Sequence, residues 1–134
     1  MLKDIKRPEV KDVAIVVIQE VGEDNELVWN VYLLNMSTEK IYGILITSKG
    51  YGDIDKEERQ SSVLRHFIEE VPAQGFVKVE PIIEDLFKLA NEYWVSFYKK
   101  AQIYDKKFIF PPDSIKYEHF VNIPLLGNKG VIAE

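Results

Sequence analysis

The stretch VAIVVI, Val13 to Ile18, constrains the chain more than any other. All its residues but Ala14 are β-branched, which costs rotamer freedom in a helix and suits an extended backbone. It is too short and too uniformly apolar for a surface helix, so it predicts a strand buried on both faces. The 134 residues fit one domain, and 46% hydrophobic content is enough for the core such a strand needs. There is no cysteine, which excludes a disulfide framework, a thiolate zinc site and a thiol nucleophile.

The apolar runs fall well short of the roughly 20 residues of a membrane span. The opening MLKDIKRPEVKD has basic residues but no apolar region behind them, unlike a secretory signal. A cytoplasmic protein without a membrane partner is expected. The net charge of −5 disfavours a polyanionic partner, because non-specific nucleic-acid binding draws on Lys and Arg neutralising phosphates.

Composition divides the chain into a loose lead-in, residues 1–12, and a single domain, residues 13–134. GEDNE, Gly22 to Glu26, is a turn by its residue types. The strand LVWNVYLLNM follows, and the short link STEK predicts that it pairs with IYGILITSKG as a hairpin. KGYGDIDKEERQ reads as a surface loop or the start of a helix. GFVKVEPI alternates as a strand, and Pro81 is placed to open a short helix carrying Ile82, Ile83, Leu86, Phe87 and Ala90. EYWVSFYKK and IYDKKFIF predict an aromatic β-ribbon turning near Lys100 to Gln102. In HFVNIPLLGNKGVI, Pro124 restricts the first of two short extended pieces to a sheet edge or a bulge.

SSVLRHFIEEV, Ser61 to Val71, is where two periods compete. Val63, Leu64, Phe67, Ile68 and Val71 recur at helical spacing, with Asp55 and Glu58 as a capping pair upstream, whereas neither face is clean as a strand. Read in order with VEPI, EYWVSFY and DKKFIF, this segment resembles a group of short uncharacterised bacterial proteins, some of which carry the label "phenylalanyl-tRNA synthetase subunit". The resemblance runs from about Val13 to the end. It implies an antiparallel immunoglobulin- or fibronectin-like β-sandwich with one short helix, in which residues 65–71 are extended. The alternative is an α+β fold with a helix over residues 55–71 packed on an antiparallel sheet. The label implies association with a synthetase, but the residues carry no synthetase signature: Gly50 and Gly52 have no third glycine or helix-opening arginine to complete a phosphate cradle.

Two groups of residues invite a functional reading. Arg65, His66 and Glu80 form a candidate structural polar cluster, with Arg65 expected to pair with Glu80 and His66 to make one hydrogen bond. Ser61 and Ser62 lie near His66, but no oriented base and oxyanion hole can be read from the spacing, so no catalytic residue is assigned. The acidic loop Asp53, Asp55, Glu57, Glu58 fails the calcium-hand template, with Glu58 where glycine is required, and no metal or cofactor is assigned. The second group is the ribbon at 93–110, where Trp94, Tyr98, Lys99, Tyr104 and Lys106 mark a candidate interaction surface. Alternation puts Tyr93, Val95 and Phe97 on one face and Trp94, Ser96 and Tyr98 on the other. The expected function is a non-catalytic protein-interaction module, with a protein partner or a second copy of the chain. The alternative is single-stranded RNA binding through aromatics interleaved with lysines.

Overall fold

The computed structural model describes residues 8–134. Positions 1–7 of the expected lead-in lie outside the described residues, and residues 8–12 form no strand. The rest is mainly β, 61% strand and 5% helical, in two antiparallel sheets. The strands are β1 (Val13–Val21), β2 (Leu27–Asn35), β3 (Ile41–Ile54), β4 (Glu57–Gln60), β5 (Leu64–Val71), β6 (Gly75–Ile82), β7 (Ala90–Lys99), β8 (Gln102–Phe110), β9 (Val121–Asn122) and β10 (Lys129–Ile132). One sheet has the order β6-β2-β1-β10-β9. The other has β4-β3-β7-β8, with β5 also on β3. The two meet face to face over a shared core.

β1 is buried on both faces, as its composition requires. Val13, Ile15 and Val17 enter the main core, together with Val31 and Leu33 of β2 and Ile44, Ile46, Val95 and Phe97 of the opposite sheet. Ala14, Val16 and Ile18 point the other way, into a smaller cluster closed by Leu34 and Ile123, with Leu126 and Met36 packed on it. The segment between β9 and β10 therefore serves as a lid over the back of the first sheet. Each fully buried aliphatic side chain contributes about 1.5–3 kcal/mol.

Several connections differ from the expectation. β2 pairs with β1 and β6, not with β3, so the link after Asn35 crosses between sheets instead of closing a hairpin. The acidic segment after Gly50 is neither loop nor helix start. It continues β3 and returns as β4 through Asp55 and Lys56, both at positive φ. Residues 64–71 are strand β5, extended as the resemblance implies and not the alternative helix, because pairing with β3 from Ile41 to Ser48 overrides the helical spacing. In place of one helix after Pro81, the described residues hold two single 3-10 turns, Glu84–Leu86 and Tyr117–His119. Pro81 stays in β6 opposite Asn30, which an edge strand tolerates because its missing N–H can face outward. The ribbon turns at Lys100 and Ala101, both with positive φ as a two-residue hairpin turn demands.

One irregularity has wide effect. Tyr32 of β2 faces Lys78 of β6, but Val31 faces Glu80, so Val79 is an extra residue and β6 carries a bulge. Before it, odd residues point inward, Val77 opposite Leu33. After it, Glu80 and Ile82 take the inward side opposite Val31 and Trp29. A regular strand would have sent Glu80 to solvent.

At the other end of β2, Asn35 is fully buried. Its Nδ2 donates to the carbonyls of Glu39, Val71 and Pro72. Its Oδ1 accepts from the Ser37 backbone N–H and hydroxyl. The crossing between sheets is thus pinned to the end of β5. Asn35→Ala removes every one of these bonds and leaves buried carbonyls unpaired, and the expected loss is about 2–4 kcal/mol in urea unfolding. A loss under about 0.5 kcal/mol, the range of a neutral surface change, would contradict this role.

Candidate functional site

The bulge brings Glu80 of the first sheet against three side chains of the second. Its Oε1 accepts from Ser48 Oγ at 2.9 Å and lies 2.6 Å from His66 Nε2. Its Oε2 accepts from the Tyr93 hydroxyl at 3.1 Å. Ser48 is on β3, His66 on β5 and Tyr93 on β7, so one carboxylate ties three neighbouring strands to the opposite layer. The Glu80 side chain is only 11% exposed, and Ser48 and Tyr93 are buried. A carboxylate at that depth is stable because donors surround it.

The expected polar cluster is therefore present in part. His66 meets Glu80 and Arg65 does not. Successive strand residues point to opposite faces: His66 opposes buried Ile46, whereas Arg65 opposes Thr47 on the outer face and is exposed. Sequence reasoning missed Ser48 and Tyr93 as partners. An alternation count that ended β6 at Pro81 could not see the bulge that turns Glu80 toward them.

Glu80 acts strongly on Tyr93. Burial first, then the charge of Glu80 and its hydrogen bond, hold the Tyr93 hydroxyl far above the ordinary tyrosine range, so it is a donor. The arrangement is not a nucleophile relay. In such a relay the imidazole stands between hydroxyl and carboxylate, and here the carboxylate stands between Ser48 and His66.

Beside the cluster the ladder on β3 is interrupted. β4 ends at Gln60 and β5 begins at Leu64. Ser61 bridges the gap, its N–H donating to Gly50 O and its Oγ accepting from Gly50 N–H. The opening leads into a pocket of roughly 280 Å³ bounded by Ser48, Ser61, Leu64, Glu80, Ile82 and Asn91.

A different surface lies on the outside of the same sheet. Phe67 of β5 is 70% exposed and sits directly opposite Leu45 of β3, itself 46% exposed. On β7, Trp94 and Tyr98 are 44% and 41% exposed, and Ile103 of β8 opposes Tyr98. Tyr98 stacks on Tyr42 with ring centroids 5.8 Å apart. These residues form a band of large apolar side chains on the outer face of four neighbouring strands, with Thr47, Ser96 and Asp105 interspersed. Glu92 marks one end, with Lys49 and Lys107 each 3.9 Å from its carboxylate.

Of the expected interaction residues, only Trp94 and Tyr98 belong to this band. Tyr104 opposes Phe97 and stacks on it at 5.3 Å on the inner side, with the Lys99 ammonium 5.0 Å from its ring. Lys106 opposes buried Val95, and its ammonium lies over Phe108. The ribbon's residues alternate, so its aromatics and lysines are divided between two faces. Phe67 and Leu45, from other strands, complete the band and were not singled out from the sequence. Their signal was the mismatch in β5 itself, an apolar residue beside a histidine that takes the inner side.

Comparison with protein-family models, with curated protein sequences and with solved structures gave no match to this chain. Among the described residues, no helix is long and apolar enough to cross a membrane.

Glu80→Leu strands Ser48, His66 and Tyr93 without their acceptor, and the expected cost is about 2–4 kcal/mol in chemical unfolding, with a smaller one for Glu80→Gln. Equal stability of Glu80→Leu and the parent would refute the cross-link. Tyrosine ionisation supplies a second check. Burial first, then a hydrogen bond and the charge of Glu20, push Tyr32 from its ordinary 10.0 up to about 12. Tyr93 is displaced in the same direction. The folded state keeps protons that the unfolded chain releases, so these contributions are intact below pH 10.0 and are lost as pH rises from there toward about 12. Urea unfolding across that window is expected to show falling stability, with a shallower fall in Tyr32→Phe. A flat profile would contradict the shifts.

Proposed function

We propose that this chain is a non-catalytic protein-binding module whose partner docks on the outer face of the sheet formed by β5, β3, β7 and β8. The observation that carries the reading is the exposed band of Phe67, Leu45, Trp94, Tyr98 and Ile103. Each of these partly exposed side chains forgoes a share of the about 1.5–3 kcal/mol that full burial supplies, and a group of large exposed apolar side chains marks an interaction site. Trp and Tyr are also the residue types enriched where binding energy concentrates.

The single-stranded RNA reading draws less support. Stacking platforms need aromatics and cations on one face, and Lys99 and Lys106 turn to the other. Lys107 stays near Trp94 but also approaches Glu92. The kinship with proteins labelled as synthetase subunits remains a proposal about descent, and no residue of the site adds a synthetase role to it. As for the fold, we read it as a fibronectin-like sandwich. The order β6-β2-β1 facing β5-β3-β7-β8 supports that reading, with β10 and β9 added beyond β1.

A photo-cross-linking residue at position 67, introduced in the host cell, is expected to trap a protein adduct that disappears in Leu45→Glu. An adduct of twice the chain's mass identifies a second copy as the partner. No adduct, or equal adducts from a cross-linker at Lys78 on the other sheet, would overturn the proposal.

A further inference from the structure

The pocket beside Glu80 has a chemical bias that the docking face does not explain. Glu80 accepts three hydrogen bonds, two on Oε1 and one on Oε2. A carboxylate has about four acceptor positions, which leaves one on Oε2. Asn91 is buried, and its Nδ2 is fully used in donating to the carbonyls of Leu86 and Leu89. Its Oδ1 borders the pocket near Gly50 and accepts no hydrogen bond among the described residues. Ser48 and Tyr93 spend their hydroxyl hydrogens on Glu80 and offer only lone pairs. Ser61 spends its own on the Ser62 carbonyl. Apart from the exposed Ser62 at its edge, the polar wall is thus rich in acceptors and poor in donors, and it carries a negative charge.

The remaining wall is apolar, built from Leu64, Ile82 and Leu86. Lys49 also borders the pocket, but its ammonium is drawn to Glu92 on the outer face. Gly50 keeps the space open: a Cβ there would lie 3.1 Å from Asn91 Oδ1 and 3.4 Å from both Ser61 Oγ and Leu89 Cδ1. A group that fits donates several hydrogen bonds, is positive, and is joined to a short alkyl chain.

We propose that this pocket binds a primary alkylammonium group, with the N–H donors on Glu80 Oε2 and Asn91 Oδ1 and the alkyl chain along Leu64 and Ile82. The group belongs either to a free small amine or to a lysine side chain of another protein. The roughly 280 Å³ available admits a ligand of a few carbons and excludes a large ring system.

Titration of the ¹⁵N-labelled chain with n-butylammonium, with n-butanol as the neutral isostere and with N-acetyl-lysine methylamide, separates the outcomes. Saturable amide shifts at Gly50, Ser61 and Asn91 with butylammonium, absent with butanol, support a free amine. The same shifts with the lysine derivative alone support a side chain. Glu80→Gln is expected to weaken binding at least about tenfold, the effect of losing one charge-assisted hydrogen bond. Where that variant does not fold, Leu64→Trp at the exposed rim fills the mouth and is expected to abolish the shifts. Shifts with neither cation, equal shifts with butanol, or unchanged affinity in Glu80→Gln or Leu64→Trp overturns the proposal.

Discussion

One carboxylate, Glu80, holds the two layers in register. Sandwich sheets joined only by apolar contacts can slide, because the hydrophobic effect has no direction. Hydrogen bonds do have direction, and those from Ser48, His66 and Tyr93 fix Glu80 against three strands at once. The bulge at Val79 is what makes this possible, by moving Glu80 from the solvent side of β6 to the inner side. Removing Glu80 alone leaves its partners stranded and is costly, but an entire apolar cluster in its place would be about as stable, so specificity of arrangement is the better-attested use of such a group.

The outer face follows from the same exchange. His66 takes an inner position on β5 because Glu80 is there to meet it, and alternation then puts Phe67 outside. Leu45 and Trp94 share that outer surface by their pairing with β5 and with each other's strands. A few polar groups are thus held within an otherwise apolar sandwich, while Phe67, Leu45 and Trp94 stay on its surface. The first sheet shows the contrast, since the segment around Ile123 and Leu126 already covers its outer cluster.

Much of this was legible in the chain. The double burial of β1, the strand character of the ribbon, the opposition of Trp94 and Tyr98 to Tyr93 and Phe97, and the edge position of the short piece before Pro124 all follow from composition and alternation. What escaped has physical causes. The extended state of β5 is what the resemblance implies, but its own periodicity favours a helix, and it is non-local pairing with β3 that decides. The link between β2 and β3 is short enough for a hairpin, and buried Asn35 instead turns it across the sandwich. The partners of Glu80 depend on one extra residue in β6, which shifts every side chain beyond it to the opposite face. No local signal distinguishes Val79 as that residue.

The most direct test is the set of nuclear Overhauser contacts from the Glu80 methylene protons. With the bulge in place, they reach the rings of His66 and Tyr93 across the sandwich. Contacts to the outer neighbours of β2 instead, with β6 alternating regularly past Val79, would contradict the account at its base.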